Sequence, residues 1–322
     1  MSLKILVTGD PLHELKPRKE STLALVKEAW RRGHHVDYCT PADLGLTNGK
    51  ILGNVQEMRL TDDYDDYFRM GGPTVKNLEK YDIILMRSNP KGYKRMNTFY
   101  MLDTLADKVF ITNDPRGMRE MHGKFFITHF SDFIVPYMIA ENKVFFENFL
   151  QKHKDIIVKP LNGFGGQGVS RIREVPDDID ALYNKLNTEF EGEPFIMQEY
   201  IPAATKGDKR IIMFDGEPVC SLLRVPKDEN SLANVTQGAT LAATEMTLRE
   251  KALCEELGPI LRDYGLFFVG VDMLGDYLTE LNVISVGTII PANNLYGIQL
   301  EKTFWGMLEK RYQTWKKNVG QS

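Results

Sequence analysis

Residues 156–170 read IIVKPLNGFGGQGVS. An apolar, β-branched run ends in Lys159 and Pro160, then opens into Gly163, Gly165, Gly166 and Gly168, four glycines within six residues. Backbone without side chains can lie flat on an anion and turn several N–H groups towards it. Lys159 adds a point charge at the mouth of that loop. Gly163 to Gly168 also spells G-x-G-x-x-G, which as a dinucleotide fingerprint must come after a strand and open a helix. The next residues, Val169 to Val175, are seven in number, rich in Val, Ile and Arg, and closed by Pro176. That is too short for the helix and fits a returning strand. Strand, glycine loop and strand make a flap over phosphates, as in the glycine-rich loop of kinases. A glycine-rich surface turn would carry the same letters, so the rest of the chain has to decide.

Working outward, the 322 residues suffice for two or three domains with cores of their own. At 43% hydrophobic, 26% charged and a formal net charge of -4, the chain presents no global basic field for nucleic acid or an acidic membrane. Cys39, Cys220 and Cys254 are odd in number and far apart, which argues against a disulfide framework or a zinc knuckle and suits a cytoplasmic location. No apolar run reaches membrane-spanning length, and MSLKILVTGD turns polar too soon for a signal peptide.

Upstream, Lys4–Thr8, His35–Cys39, Asp82–Met86 and Val109–Thr112 read as buried strands, with a helix capped by Ser21 or Thr22 after the first. This predicts an α/β domain with an open parallel sheet over residues 1–122. Its ligand positions would be the strand ends Gly9-Asp10-Pro11, Arg87-Ser88-Asn89-Pro90 and Asn113-Asp114-Pro115. His34-His35 reads as a solvated pair. Residues 123–202 read as an antiparallel α+β lid: a helix over Met118–Phe130 carrying Lys124, a strand over Phe133–Ile139, a helix over Asn142–His153 with Val144, Phe145, Phe149 and Leu150 inward, the flap, a helix capped by Asp177 or Asp178, and a strand over Phe195–Ile201. Residues 203–322 form an α+β unit. It holds a hairpin turning at Asp215-Gly216, an amphipathic helix over Thr247–Tyr264, a second hairpin near Gly275-Asp276, and a C-terminal helix over Lys302–Trp315.

The second hairpin carries the clearest chemistry. Glu280 and Asn282 lie two apart on one strand and share a face. Asp272 joins them only if the connection pairs it with Glu280, through a three-residue link (Gly275, Asp276, Tyr277) or an equivalent bulge. Hard oxygen donors on the apolar strands FFVGVDML and YLTELNVI suit Mg²⁺ or Mn²⁺, with waters and phosphate oxygens completing the shell. A polar face meeting solvent is the alternative.

Lys124, Lys159 before a glycine flap, QEYIP at 198–202, then Asp272 and Glu280-x-Asn282, in this order, resemble the ATP-grasp ligases. Within them, IIVKPLNGFGGQG, KGDKRIIMFDGEP and FVGVDMLGDYLTELNV are similar to the bacterial glutathione synthetase family, over nearly the whole chain and most strongly from Asp155 to Asn282. The resemblance implies an ATP-grasp fold and an ATP- and Mg²⁺-dependent carboxylate–amine ligase. A carboxylate attacks the γ-phosphate, and an amine then displaces phosphate from the acyl phosphate. It implies Lys124 and Lys159 on the α- and β-phosphates, and the loop Asn162, Gly163, Gly165, Gly166, Gln167 and Gly168 closing over the β- and γ-phosphates. The hinge Gln198, Glu199, Tyr200 and Ile201 would bond adenine through its backbone, with Asp208 or Glu199 at the ribose or adenine edge. Asp272, Glu280 and Asn282 would hold two Mg²⁺, and Arg210, with Lys159, would be catalytic, stabilising charge on the transferred phosphoryl.

The acceptor side departs from the family. Where the pattern is R-G-N-x-x-x-G-G-R, this chain keeps Asn234 and Gly238 but has Leu232 and Thr240 at the arginine positions. R-x-D-P-P has become Arg87-Ser88-Asn89-Pro90-Lys91, and S-P-T has become Ser285-Val286-Gly287. Arg87, Arg224, Asn234, Gly238 and Ser285 are therefore the substrate-side candidates. The default small-molecule pair is γ-glutamylcysteine and glycine. A ligase for another amino acid or short peptide pair, and a nucleotide-binding protein without ligase activity, stay open. Relatives are often homo-oligomers.

Overall fold

The computed structural model describes residues 2–89, 93–121, 123–162, 167–226 and 240–319. Its strands fall into three sheets in chain order. The first holds β1 (Lys4–Gly9), β2 (His35–Cys39), β3 (Leu44–Thr47), β4 (Lys50–Leu60), β5 (Phe68–Met70), β6 (Thr74–Asn77), β7 (Ile83–Arg87) and β8 (Phe110–Thr112). The order β2-β1-β7-β8 is parallel throughout, with Lys4 opposite His35 and Ile5 opposite Ile83. α1 (Ser21–Arg31) makes the crossover between β1 and β2, and α2 (Tyr93–Asp103) precedes β8. The antiparallel strands β3 to β6, attached through β4, extend this sheet beyond the parallel core that the sequence pattern shows.

The second sheet, β11-β10-β12-β9, joins β9 (Tyr137–Ala140), β10 (Ile156–Pro160), β11 (Ser170–Ile172) and β12 (Phe195–Glu199), all antiparallel. β11 returns against β10 with Val158 opposite Ser170, so the glycine loop links two paired strands, as the flap reading requires. α5 (Lys143–His153) and α6 (Ile179–Glu189) close one face over Phe146, Phe149, Leu150, Leu186 and Phe195.

The third sheet, β15-β14-β13-β16-β17, runs through β13 (Asp208–Phe214), β14 (Glu217–Val225), β15 (Thr240–Ala243), β16 (Phe268–Leu274) and β17 (Tyr277–Asn282), again antiparallel. The first hairpin turns on Asp215 and Gly216, both at positive φ (48° and 76°), the geometry that lets a two-residue turn match strand twist. The remaining helices are α3 (Pro115–Glu120), α4 (Gly123–Phe126), α7 (Leu248–Asp263), α8 (Ile289–Tyr296) and α9 (Leu300–Val319). α9 ties the first and third sheets together. Phe304 packs edge-on against Phe214 and Phe267 at 5.4 and 5.2 Å, and Trp305 Nε1 donates to Leu25 O in α1 at 2.8 Å.

Several local expectations are corrected. Glu20, not Ser21 or Thr22, caps α1 by accepting from Thr22 N–H at 2.9 Å, because both hydroxyls are buried and bond elsewhere. His34 is buried beside Trp305 with Nε2 2.9 Å from Glu309, so of this pair only His35 lies at the surface. The helix expected over 118–130 is broken into α3, α4 and a 3-10 turn over Ile127–His129. The strand expected from Phe133 starts only at Tyr137, after Pro136, which has no N–H for a ladder. On α5 the buried face is Phe146, Phe149 and Leu150, leaving Val144 and Phe145 exposed, and Leu248 at the start of α7 is exposed as well. The pattern 146, 149, 150 is the one that keeps a single helical stripe under the lid sheet.

Candidate active site

The lid contributes a cation and an amide from neighbouring strands. Ile157 stands opposite Gln198 and Lys159 opposite Ile196, so Lys159 and Gln198 share the face turned away from α5 and α6. Lys159 Nζ donates to Gln198 Oε1 at 2.9 Å. Burial is the main reason the Lys159 ammonium is pushed down to about 8; Lys124 adds to the fall, and Glu280, Asp272 and Asp208 oppose it. The Gln198 Nε2 is buried and finds no partner among the described residues. Glu199 has the opposite parity, and its carboxylate lies 3.2 Å from His153 Nδ1 on α5. Of the two carboxylates expected at the sugar edge, only Asp208 therefore lies on the Lys159 side.

The third sheet supplies the rest from four adjacent strands. Asp208 stands opposite Arg224, Arg210 opposite Asp272, Asp272 opposite Glu280, and Gly270 opposite Asn282. All the polar members of that set thus project from one face. The register of the last pair depends on a bulge. Leu274 faces Tyr277 across a two-residue turn, and Met273 faces Leu278, a course that would bring Asp272 opposite Thr279. An extra residue at Thr279 shifts the ladder by one, and Thr279 Oγ1 donates to Asp272 O at 3.0 Å. Without that shift Glu280 and Asn282 would face the core. This is the bulge that the sequence allowed as an equivalent of the three-residue link.

Asp272 is buried and heavily coordinated. Its Oδ2 accepts from Arg210 Nη2 at 2.8 Å and Asn282 Nδ2 at 3.0 Å, Arg210 Nε donates to Oδ1, and Arg224 Nη2 lies 3.0 Å from Oδ2. Arg224 also forks onto Asp208, with Nη2 to Oδ2 at 2.6 Å. Burial alone would raise Asp272, but the Arg210 and Arg224 guanidiniums outweigh it and hold the carboxyl below its usual range. For Asp208 burial wins, helped by the neighbouring Asp272 charge, and its carboxyl is pushed up. Gly270 leaves room for this packing, since a Cβ there would stand 3.0 Å from Arg210 Cδ.

Lys124 approaches from α4, with Nζ 3.5 Å from Glu280 Oε1. The preceding Gly123 lets α4 press on β17: a Cβ there would lie 2.1 Å from Leu281 O. That constraint, the place of the bulge at Thr279 and the role of the Gln198 side chain, as distinct from its backbone, escaped the sequence reading; a glycine directly before a lysine was the one local signal. Asn162, Gln167 and Gly168 flank the flap, and Gly168 takes φ +69° with Pro160 packed beneath it. Gly163, Gly165 and Gly166 fall outside the described residues, as do Asn234 and Gly238. Tyr200 and Ile201 continue from β12, with Tyr200 under the Arg171 guanidinium at 3.2 Å. Arg87 and Ser285 meet away from this cluster, at the junction of the first and third sheets, where Ser285 Oγ donates to Arg87 O at 2.9 Å.

The donor set fits a divalent cation held together with phosphate oxygens. Among the described residues no three His, Cys, Asp or Glu side chains gather as a closed cage. Instead Glu280, Asp272 and the Asn282 amide oxygen, freed because its Nδ2 faces Asp272, offer a partial shell of hard donors. Lys124, Lys159, Arg210 and Arg224 surround three carboxylates, a pattern that receives a polyanion and its counter-cation together.

Comparison with known proteins bears on the family and the fold. Residues 3–119 match the family model for the prokaryotic glutathione synthetase N-terminal domain, and residues 123–297 match that for its ATP-grasp domain. The chain is 34% identical to the glutathione synthetase of Rhodopseudomonas palustris over 314 residues, covering 97% of this chain and 99% of that one. It is 32% identical to the glutathione synthetase of Escherichia coli, covering 97% and 99%. Among solved structures it resembles a D-cycloserine synthetase with a TM-score of 0.66 at 13% identity, covering 96% and 99%. A RiPP-associated ATP-grasp ligase from Chryseobacterium gregarium aligns with a TM-score of 0.65 at 15% identity, covering 96% and 97%. At these identities the solved structures speak for the fold alone. No described helix is long and apolar enough to cross a membrane.

Proposed function

Because the chain belongs to the prokaryotic glutathione synthetase family and is an ATP-dependent, glutathione synthetase-like ligase, we propose that it joins γ-glutamylcysteine to glycine with conversion of ATP to ADP and phosphate. The single observation carrying the assignment of residues is the bulged register that puts Asp272, Glu280 and Asn282 on one face, with Arg210 opposite Asp272.

In this reading Lys124 and Lys159 bind the phosphates from two sides, and the glycine flap closes over them and excludes water. Residues 198–201 bond adenine through the backbone. Glu280, Asp272 and Asn282 would hold Mg²⁺, which when bound supplies charge neutralisation across the β- and γ-phosphates. Arg210, anchored by Asp272, faces the developing charge as the substrate carboxylate takes the γ-phosphoryl and again as the amine attacks the acyl phosphate. No side-chain nucleophile is required. Arg224 is held by Asp208 and Asp272, so its task is to keep the carboxylate pair in place.

The engagement of Arg224 favours a second reading of the acceptor. With Leu232 and Thr240 where the family has arginines, and Arg224 occupied, an acceptor with less negative charge than glycine, such as an amine or an amidated amino acid, fits the chain as well. Three cysteines without disulfides accord with a reducing cytoplasm, where both substrates would be met. An ADP-release screen over γ-glutamyl peptides paired with amino acids and amines tests the assignment. Release with γ-glutamylcysteine and glycine supports it; release only with another pair retains the ligase and replaces the substrates.

A further inference from the structure

The second sheet, the lid, is joined to the rest of the chain by two crossings, residues 127–136 before β9 and 200–207 after β12. Both are tied to one spot of the third sheet, the turn Gly275-Asp276 between β16 and β17. On the exit side, the 3-10 turn Pro202–Lys206 lies so near that a Cβ on Gly275 would stand 3.0 Å from Ala203 Cβ. On the entry side the link is Arg249, in the first turn of α7. Its Nε donates to Asp276 O at 3.0 Å, and its Nη2 donates to Asp132 O in the 3-10 turn Ser131–Phe133. The guanidinium also lies 5.0 Å from the centre of the Phe133 ring, close enough for a cation–π contact.

Arg249 does little for its own helix. A cation in the first turn opposes the helix dipole, and α7 is capped without it, by the reciprocal pair Thr247 and Glu250. The base of the arginine is firm. Glu250 is buried and accepts from Lys209 Nζ at 2.8 Å, so the first turn of α7 is held to β13 at the residue before Arg210. Both acceptors of the guanidinium are backbone carbonyls, and its planar fork fixes the course of two main chains relative to each other, whatever side chains they carry. One is the path into the lid. The other is the turn that follows Asp272 and precedes Glu280, on the hairpin whose bulged register puts Glu280 and Asn282 on the face of the site. Paired strands are stiff, so a displacement of this turn is carried to the donors on β17.

We propose that Arg249 is a positioning residue that couples the lid to the hairpin of Asp272, Glu280 and Asn282. It holds the lid's entry on the Gly275-Asp276 turn, so that nucleotide closing the lid also sets Glu280 and Asn282 for the cation. The inference rests on the reading of those residues as cation donors. Such coupling is reciprocal: whatever nucleotide does for the donors through the lid, a cation on the donors does for nucleotide affinity.

Two measurements on the full-length protein separate the coupling from that reading. Calorimetry gives ADP affinity with excess EDTA and with saturating Mg²⁺. Mg²⁺ should tighten ADP by about tenfold or more in the wild type. In Arg249→Ala the affinity in EDTA should stay within about twofold of the wild type, while the gain from Mg²⁺ shrinks to about threefold or less. Arg249→Lys, a cation without the planar fork, should not restore the gain. Amide hydrogen exchange in EDTA follows residues 195–201, where ADP meets the hinge, and 274–279, at the turn. ADP should protect both segments in the wild type and only the first in Arg249→Ala. An arginine that merely stabilises the fold would lower the urea midpoint and leave both readouts unchanged. An equal Mg²⁺ gain in Arg249→Ala and the wild type, or protection of the turn that survives the substitution, overturns the coupling and leaves the donors in place. No Mg²⁺ gain in the wild type, with protection of the turn lost in Arg249→Ala, leaves the coupling standing and removes the donor reading.

Discussion

Lys159 gives the sharpest test of the phosphate assignment. Its ammonium is buried against Gln198 Oε1 at 2.9 Å, and burial brings it down to about 8, within reach of ordinary buffers. A lysine that must be charged to bind phosphate loses that ability as pH rises through its free-state value. Half of it is charged at that value and about a tenth one unit above, so ADP affinity should fall about fivefold between pH 8 and 9. Lys159→Arg, which stays protonated, should bind ADP with nearly constant affinity over pH 7.5–9.5. Lys159→Gln should bind weakly throughout, by about 1.5–3 kcal/mol for the lost charge-assisted bond. Calorimetric titration of ADP with Mg²⁺ measures all three without relying on turnover. The sign for the ligand-free fold is opposite to that of a lysine gaining a partner. The unfolded chain holds this proton up to about pH 10.4 and the fold releases it near 8, so stability should rise with pH across that window. An ADP affinity that is flat from pH 7.5 to 9.5 in the wild type, or equally sloped in Lys159→Arg, would refute the placement of Lys159 on the phosphates.

Glu280→Gln should cut ADP formation at least a hundredfold while ADP still binds, because the hinge backbone at 198–201 is untouched; steady-state kinetics beside calorimetry would decide. Asp272→Asn leaves two buried guanidiniums with Asp208 alone and should cost about 3–5 kcal/mol in urea unfolding at neutral pH. As the Asp272 carboxyl is held below its usual value, its contribution is present above about pH 4 and fades as pH falls, so the gap between the variant and the wild type should narrow in acid. Gly123→Ala drives a methyl into Leu281 O and should lift α4, weakening ADP binding through Lys124 and lowering stability by about 1–3 kcal/mol, read by calorimetry and thermal melts. Phe304→Ala should cost about 3–5 kcal/mol without changing ADP affinity per folded molecule, since the ring serves the junction of α9 with the third sheet.

Short-range chemistry made much of this protein legible from its letters. Strands such as KILVT and DIILM are continuous apolar runs because parallel strands are buried on both faces, and Asp215-Gly216 can only be a tight turn. The flap was legible because seven residues ending in proline cannot be the helix that a dinucleotide site needs. Residue types likewise pointed to Lys159, Asp272, Glu280 and Asn282, since polar groups on apolar strands are costly unless they have a task, whereas Arg210 came from the family resemblance alone. What lay beyond the letters were choices between equal local alternatives. Whether Asp272 meets Glu280 or Thr279 is a one-residue matter of register, settled by a bulge whose stability comes from the neighbouring strands. Which phenylalanines of α5 turn inward depends on the sheet beneath them. Where Arg87 finds its partners depends on a loop about 200 residues away, and no pattern within either segment records that contact. Periodicity reports what a segment can do with its own backbone; the tertiary structure alone brings together charges that are remote along the chain.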